Sequence, residues 1–255
     1  MSVSNSYVVE LRDVIMQFEE KKVLDQLSLQ VWPQDRLVIM GQSGSGKSTV
    51  LRLILGILQP NAGSIFFKQF EITRLRRRKL QQVRQHIGMV YQYSALLSSR
   101  NVRDNVALPL EELTEKSREE IDKIVDEKLE LVGMKDAKEL MPDQLSGGMK
   151  KRVGLARSII RRPSCVLYDE PTSGLDPVVA DSINRLIHRL QRRFGMTSVV
   201  VTHDMKSAFD LADRIAYLHE GRIYFHGTPS QLQRSTDRLI QDFLLGRSEQ
   251  GMAAC

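Results

Sequence analysis

Cysteine is scarce in this chain. Two of 255 residues are cysteines, Cys165 inside an apolar run and Cys255 at the last position. That spacing argues against a disulfide framework or a cysteine-ligated metal, and it fits a reducing compartment. No stretch of about 18 apolar residues occurs, so no segment is expected to cross a bilayer as a helix. Residues 1–6 are polar and lack the apolar stretch of a secretory signal. Neither an internal repeat nor a low-complexity tract is present. Acidic residues are outnumbered, 31 against 37 Lys and Arg, for a net charge of +6. Much of the excess lies in Arg74, Arg76, Arg77, Arg78, Lys79 and Arg84. The run reads as a solvated helix face; acidic membrane headgroups and nucleic acid are the alternatives, and charge alone does not choose.

What is present is an α/β pattern. The hydrophobic fraction of 42% is ordinary for a globular protein, and the length suffices for an α/β core with an inserted subdomain. Residues 8–14, 23–31 and 63–70 alternate apolar with polar positions, as antiparallel strands do. Residues 36–40, 87–92, 165–169 and 198–202 are short continuous apolar runs, which suit strands buried on both faces of a parallel sheet. Between residues 92 and 146 the pattern turns helical. Ser117 and Glu120 form a capping box, Ile121, Ile124, Val125, Leu129 and Val132 share one face, and Gly133 ends the helix. Asp176 and Pro177 open another helix, with Ile183, Leu186, Ile187 and Leu190 as its buried stripe and Gly195 as its stop. The expected organisation is a nucleotide core in residues 1–92 and 154–235, a helical subdomain in 93–153 and a helical tail in 236–255.

Chemistry concentrates in three stretches. Residues 41–49 read Gly-Gln-Ser-Gly-Ser-Gly-Lys-Ser-Thr. Gly41, Gly44 and Gly46 let the backbone curl so that its N–H groups, those of Gln42, Ser43, Ser45 and Thr49 among them, can point at phosphate oxygens. Lys47 supplies positive charge for the β- and γ-phosphates, and Ser48 a hydroxyl for Mg²⁺. The loop lies between an apolar strand and a helix start, so the helix dipole also faces the anion. A lone match of this kind appears by chance in roughly 1% of chains this long. Here it is followed by Leu145-Ser146-Gly147-Gly148-Met149 and by Cys165-Val166-Leu167-Tyr168-Asp169-Glu170. Asp169, at the end of a buried strand, is placed to bind Mg²⁺ largely through water, and Glu170 to polarise an attacking water. Together the stretches predict binding and hydrolysis of ATP. Taken singly, Ser146, Gly147 and Gly148 would be a turn before a helix over residues 149–161, and Gln92, His203 and Phe18 would carry no message.

Over nearly its whole length the sequence resembles the ATP-binding cassette family. Residues 41–49 look like its Walker A motif, 166–170 like Walker B, 145–149 like the signature, and Ser173-Gly174-Leu175-Asp176 like the D-loop. His203 resembles the switch histidine, Gln92 the Q-loop glutamine with a place at Mg²⁺, and Phe18 the aromatic that stacks on adenine. Met149 departs from the commoner glutamine, but Ser146 and the glycine N–H groups are what reach the γ-phosphate. The resemblance implies a RecA-like parallel-sheet core with an antiparallel β layer and an inserted helical subdomain. It also implies a homodimer or paired cassette, in which the signature of one subunit covers ATP on the other, and an integral membrane permease served from the cytoplasmic face. Long coiled-coil insertions, zinc cysteines and a second head are missing, so nucleic-acid and translation-factor roles are disfavoured. Leu140-Met141-Pro142 before the signature, residues 105–110 and the tail 237–246 resemble the ATPases of Mla-type, MCE-associated phospholipid transporters. On that resemblance an MCE-domain protein and an accessory subunit are further partners; a small-solute importer or an exporter is the alternative. The apolar Ala95, Leu96 and Leu97 are expected to line a permease groove or to join the subdomain core. Leu239, Ile240, Phe243 and Leu244 are expected to pack on the chain's own core or on a partner.

Overall fold

The computed structural model describes residues 7–247. Residues 1–6 and Cys255 therefore lie outside the described residues. Two sheets carry the fold. In the larger, strands β3 (Arg36–Met40), β6 (Ile87–Val90), β7 (Cys165–Asp169), β8 (Thr197–Thr202), β9 (Arg214–His219) and β10 (Arg222–Gly227) lie in the order β10-β9-β3-β8-β7-β6. All its pairings are parallel except that of β10 with β9. The smaller sheet is antiparallel, in the order β2-β1-β4-β5, from β1 (Val9–Phe18), β2 (Lys21–Val31), β4 (Ala62–Phe67) and β5 (Phe70–Glu71).

The apolar runs are explained by burial on both faces. In β3, Val38 and Met40 join one core with Val166, Tyr168, Val200 and Ile215. Leu37 and Ile39 point the other way, into a second core with Leu167, Val199, Val201 and Leu218. The first core is covered by helices α3 (Val102–Glu111), α4 (Arg118–Leu131), α5 (Gly147–Ile159) and α6 (Pro177–Phe194). The second is covered by α1 (Lys47–Ile54), α2 (Arg77–Arg84) and the antiparallel sheet. Every backbone N–H and C=O of such a central strand finds its ladder partner, so continuous Val, Ile and Leu carry no desolvation penalty there.

Local signals are realised closely in the helices. Ser117 and Glu120 make both capping-box bonds at α4. The Asp176 carboxylate accepts from the N–H groups of Val178 and Val179 at the start of α6, and Gly195 ends it at φ +60°. Ile183, Leu186, Ile187 and Leu190 are all buried in α6. Strand limits differ more. The strand expected over residues 8–14 continues to Phe18, because register shifts after Leu11, with Asp13 at φ +49°, break the alternation that marks a strand. The strand expected over 63–70 stops at Phe67 and turns at Lys68, φ +52°, into β5. β6 ends at Val90, so Gln92 follows the strand rather than closing it. The helix expected over 149–161 is α5, which begins two residues earlier at Gly147 because the Ser146 side chain accepts the Met149 N–H. It runs through the expected boundary after residue 153, and its core residues Val153, Leu155 and Ala156 join the same core as the sheet.

In the cationic run, Arg76, Arg77, Arg78 and Lys79 are exposed at the start of α2. Arg84 instead donates to the Leu55 and Gly56 carbonyls, which end α1. The chain closes through α7 (Met205–Leu211), α8 (Pro229–Gln233) and α9 (Arg238–Leu244). Ile240 of α9 is buried, and the Phe243 ring stacks on Tyr217 at 4.2 Å between centroids. Within the chain the tail therefore packs on its own core, the first of the two expectations.

Candidate ATP site at the strand ends

Parallel strands bring their C-terminal ends to one edge, and the loops that follow β3, β7 and β8 meet there. After β3, residues 41–46 turn sharply into α1. A Cβ on Gly41 would lie 2.5 Å from the Leu218 carbonyl oxygen of β9, so only glycine lets the loop pass that backbone. Gly46, the N-cap of α1, sits at φ +103°. Lys47 is buried, and its ammonium donates to the carbonyls of Gly41 and Gln42, each at 2.8 Å. Burial holds its pKa below the usual lysine range, against the pull of Glu170 and Asp169.

The Ser48 hydroxyl donates to Asp169 Oδ1 at 2.8 Å. Burial pushes the Asp169 carboxyl up, against the effect of that hydrogen bond. Two hard oxygens held side by side next to an anion cradle suit Mg²⁺, which keeps water and substrate phosphates as its other ligands. Among the described residues no cluster of three or more His, Cys, Asp and Glu offers an all-protein metal site. Ser48 and Asp169 are thus the pair that fits the ion.

Glu170 is 9% exposed and adopts φ +48°, a left-handed backbone that costs a non-glycine residue about 1 kcal/mol or more. The conformation turns its side chain back along β8. Glu170 Oε2 accepts from the Thr202 hydroxyl at 3.1 Å, and Oε1 lies 2.8 Å from His203 Nδ1. Its backbone N–H donates to Val201 at 3.0 Å. Two of these partners come from β8, so the carboxylate is fixed by the strand next to its own.

These groups surround a cavity of about 370 Å³, lined by Ser43, Gly44, Gly46, Lys47, Ser48 and Thr49 together with Val23, Gln92, Glu170 and His203. The expected Gln92, Glu170 and His203 thus come together with the phosphate loop. Other expected residues lie elsewhere. Phe18 is exposed at the end of β1, paired with Lys21, and is not among the lining residues; Val23 of β2 is. Asp176 serves as the cap of α6. Ser146, Gly147 and Gly148 form the first turn of α5, packed against Leu175 and Val179, where a Cβ on Gly148 would lie 2.7 Å from Val179 Cγ1. They do not line the phosphate-loop cavity of their own chain.

Sequence reasoning missed Thr202 and Lys151. Lys151 is buried and donates to the carbonyls of Gln92 and Glu170, at 2.5 and 3.1 Å. Nothing local marked it out, because a lysine on a helix is ordinarily solvated.

A phosphate loop, a hydroxyl–carboxylate pair and a buried glutamate at the ends of parallel strands define an α/β ATPase. Residues 24–173 match the family described as ABC transporter. This chain is 39% identical over 245 residues to the intermembrane phospholipid transport system ATP-binding protein MlaF of Haemophilus influenzae, covering 96% of this chain and 93% of that protein. It is 43% identical over 206 residues to the methionine import ATP-binding protein MetN of Carboxydothermus hydrogenoformans, covering 81% of this chain and 61% of that one. Among solved structures, a dimeric post-hydrolysis state of the ATP-binding cassette MJ0796 bound to ADP and Pi superposes with a TM-score of 0.79 at 32% identity, over 86% of this chain and 98% of that one. The chain belongs to the ABC transporter family and is an ATPase of that class.

Proposed function

We propose that this ATPase energises a separate membrane permease in phospholipid transport of the Mla type. The observation that carries the reading is similarity to MlaF proteins of Haemophilus influenzae and Escherichia coli along more than nine-tenths of both partners. The higher identity to MetN extends over a shorter part of each chain and supports a second reading, an importer of a small polar solute.

In this reading the loop N–H groups and Lys47 bind the phosphates, and Lys47 exchanges its two carbonyl partners for phosphate oxygens. Ser48 and Asp169, with Gln92, would hold Mg²⁺, which would supply charge neutralisation for the phosphates. Glu170, held by Thr202 and His203, orients and polarises the attacking water. Phe18 and Asp176 complete the nucleotide site only in an assembled dimer or with a base in place. The signature residues Ser146, Gly147 and Gly148 act on the ATP of a second copy, an arrangement supported by the dimeric form of the MJ0796 cassette.

The permease fits a cleft of about 360 Å³ lined in part by Met89, Ala95, Leu97, Leu108, Pro109 and Leu113. Of the apolar cluster after Gln92, Leu96 packs on the core while Leu97 is 42% exposed in this cleft. Among the described residues no helix is long and apolar enough to cross a membrane. A peripheral place at the cytoplasmic face belongs to the same reading, since it follows from serving a membrane permease. Purifying the chain from its native membrane and identifying its partners tests the reading. An MCE-domain protein in the complex supports phospholipid transport; an amino-acid-type permease without one replaces it with the importer reading.

A further inference from the structure

Lys151 is 5% exposed, and among the described residues its ammonium makes no ion pair with a carboxylate. It donates instead to two neutral carbonyls, those of Gln92 and Glu170. Removing an ammonium from water to reach carbonyls is a poor way to gain stability, because the lost hydration is only partly replaced. What the contact does achieve is geometric. One side chain ties the residue after β6 to the residue after β7, and both line the phosphate-loop cavity.

The rest of the same helix face repeats the connection. α5 runs close to the chain at Ser94 here: a Cβ on Gly154 would meet Ser94 Cβ at 3.6 Å, an ordinary van der Waals contact. Arg157 donates to the Ser94 and Ala95 carbonyls at 2.6 and 2.7 Å. α5 is thereby fastened to residues 92–95 along its length, and its N-cap is Ser146. Lys151 follows Ser146 by five residues, about 7.5 Å along a helix axis. One rigid element thus carries the signature residues at its tip and grips the carbonyl of Glu170, a residue held at φ +48°.

We propose that Lys151 is a positioning residue for hydrolysis, fixing the backbones of Gln92 and Glu170 relative to the signature helix. Seating α5 on a partner's nucleotide and aligning Glu170 in its own chain then become one movement. The inference rests on the assignment of Glu170 as the water-polarising group.

Lys151→Met in the full chain tests it, since Met matches the stem but donates nothing. The expected result is a fall in kcat of about ten- to a hundredfold, the scale of a small misplacement of a reacting group. KM for ATP should stay within about twofold, and the melting temperature should fall only modestly, since Met removes a buried charge but leaves the Gln92 carbonyl without its donor. Lys151→Gln keeps an amide donor and should recover part of the lost turnover. Parental kcat in folded Lys151→Met overturns the proposal, as does a rise in KM that accounts for the whole loss. If Lys151→Met does not fold, Lys151→Leu, which also donates nothing, decides in its place: reduced kcat at parental KM supports the role, and parental kcat overturns it. Glu170→Gln, assayed in parallel, separates the two assignments. Normal turnover there overturns the role of Glu170; its loss beside a fully active Lys151→Met overturns only that of Lys151.

Discussion

The phosphate loop and the signature turn are both glycine-rich helix entries, and they differ in what surrounds them. At the phosphate loop, Lys47 is held by carbonyls of its own loop, Ser48 by Asp169, and Glu170 by Thr202 and His203, all at the ends of β3, β7 and β8. At the signature, Ser146 caps its own helix, and the glycines pack on Leu175 and Val179 without lining the phosphate-loop cavity. On the proposed reading, one half of an ATP site is built within the chain, and the other is displayed at a helix tip. A helix N-terminus of unpaired N–H groups is an anion site waiting for an anion, and a second copy can bring one. Under the proposed head-to-tail reading, the contrast accounts for a chain that carries the phosphate-loop groups itself and needs a partner for turnover.

The built half can be broken most severely. Glu170→Gln keeps the size and the contact with Thr202 but removes the negative oxygen, so hydrolysis should fall by a factor of about 10² or more. Phosphate release would show the loss, while ATP binding stays intact and an ATP-held dimer accumulates in size-exclusion runs. Lys47→Ala contrasts with it, because loss of the ammonium should weaken nucleotide binding and turnover together. Parental hydrolysis by Glu170→Gln would remove Glu170 from the mechanism.

The displayed half is tested by mixing. Ser146→Arg places a bulky side chain at the tip of α5 and should abolish turnover while leaving the chain's own phosphate loop unharmed. Mixed with Glu170→Gln, it should regain hydrolysis that neither variant has alone. In the mixed dimer, the intact phosphate loop of one copy faces the intact signature of the other. Absence of any recovery in a verified mixed dimer would sink the head-to-tail arrangement.

What was legible in the sequence was whatever is settled within a few residues. The phosphate loop, the run ending in Asp169 and Glu170, the caps Ser117 and Asp176 and the stops Gly133 and Gly195 each follow from local backbone needs. The continuous apolar runs also announced a sheet buried on both faces. Strand ends were less legible, because bulges near Asp13 and the turn at Lys68 depend on cross-strand partners. Lys151 was invisible for the same reason. A lysine on a helix is ordinarily solvated, and only the approach of Gln92 and Glu170 makes this one a link. Thr202 looked like one more strand residue until β8 lay beside β7.

The tail offers a milder test of the built side. Ile240 is buried in the core that also holds Tyr217, on which Phe243 stacks. Ile240→Ala should cost about 2–3 kcal/mol, at the lower end for a buried Ile because α9 is a short terminal helix with room to relax. Urea unfolding of the monomer reads this directly. A change only in dimer or complex stability would return the tail to the role of an interface element.

The smallest expected effect on the chain itself is at Leu97, and it separates fold from partnership most cleanly. Its neighbour Leu96 is committed to the core, whereas Leu97 leaves 42% of its surface in the cleft with Leu108, Pro109 and Leu113. Only the Leu97 backbone bonds the buried Asn105, and a charge on an exposed side chain changes stability by about 0.5 kcal/mol or less. Leu97→Asp should therefore melt and bind ATP like the parent. In a cleft that receives an apolar segment of another protein, the same carboxylate must be desolvated without a partner, so permease association measured by co-purification should drop sharply. A variant that unfolds would show Leu97 to be part of the core. One that folds and still retains its permease would move the docking surface elsewhere.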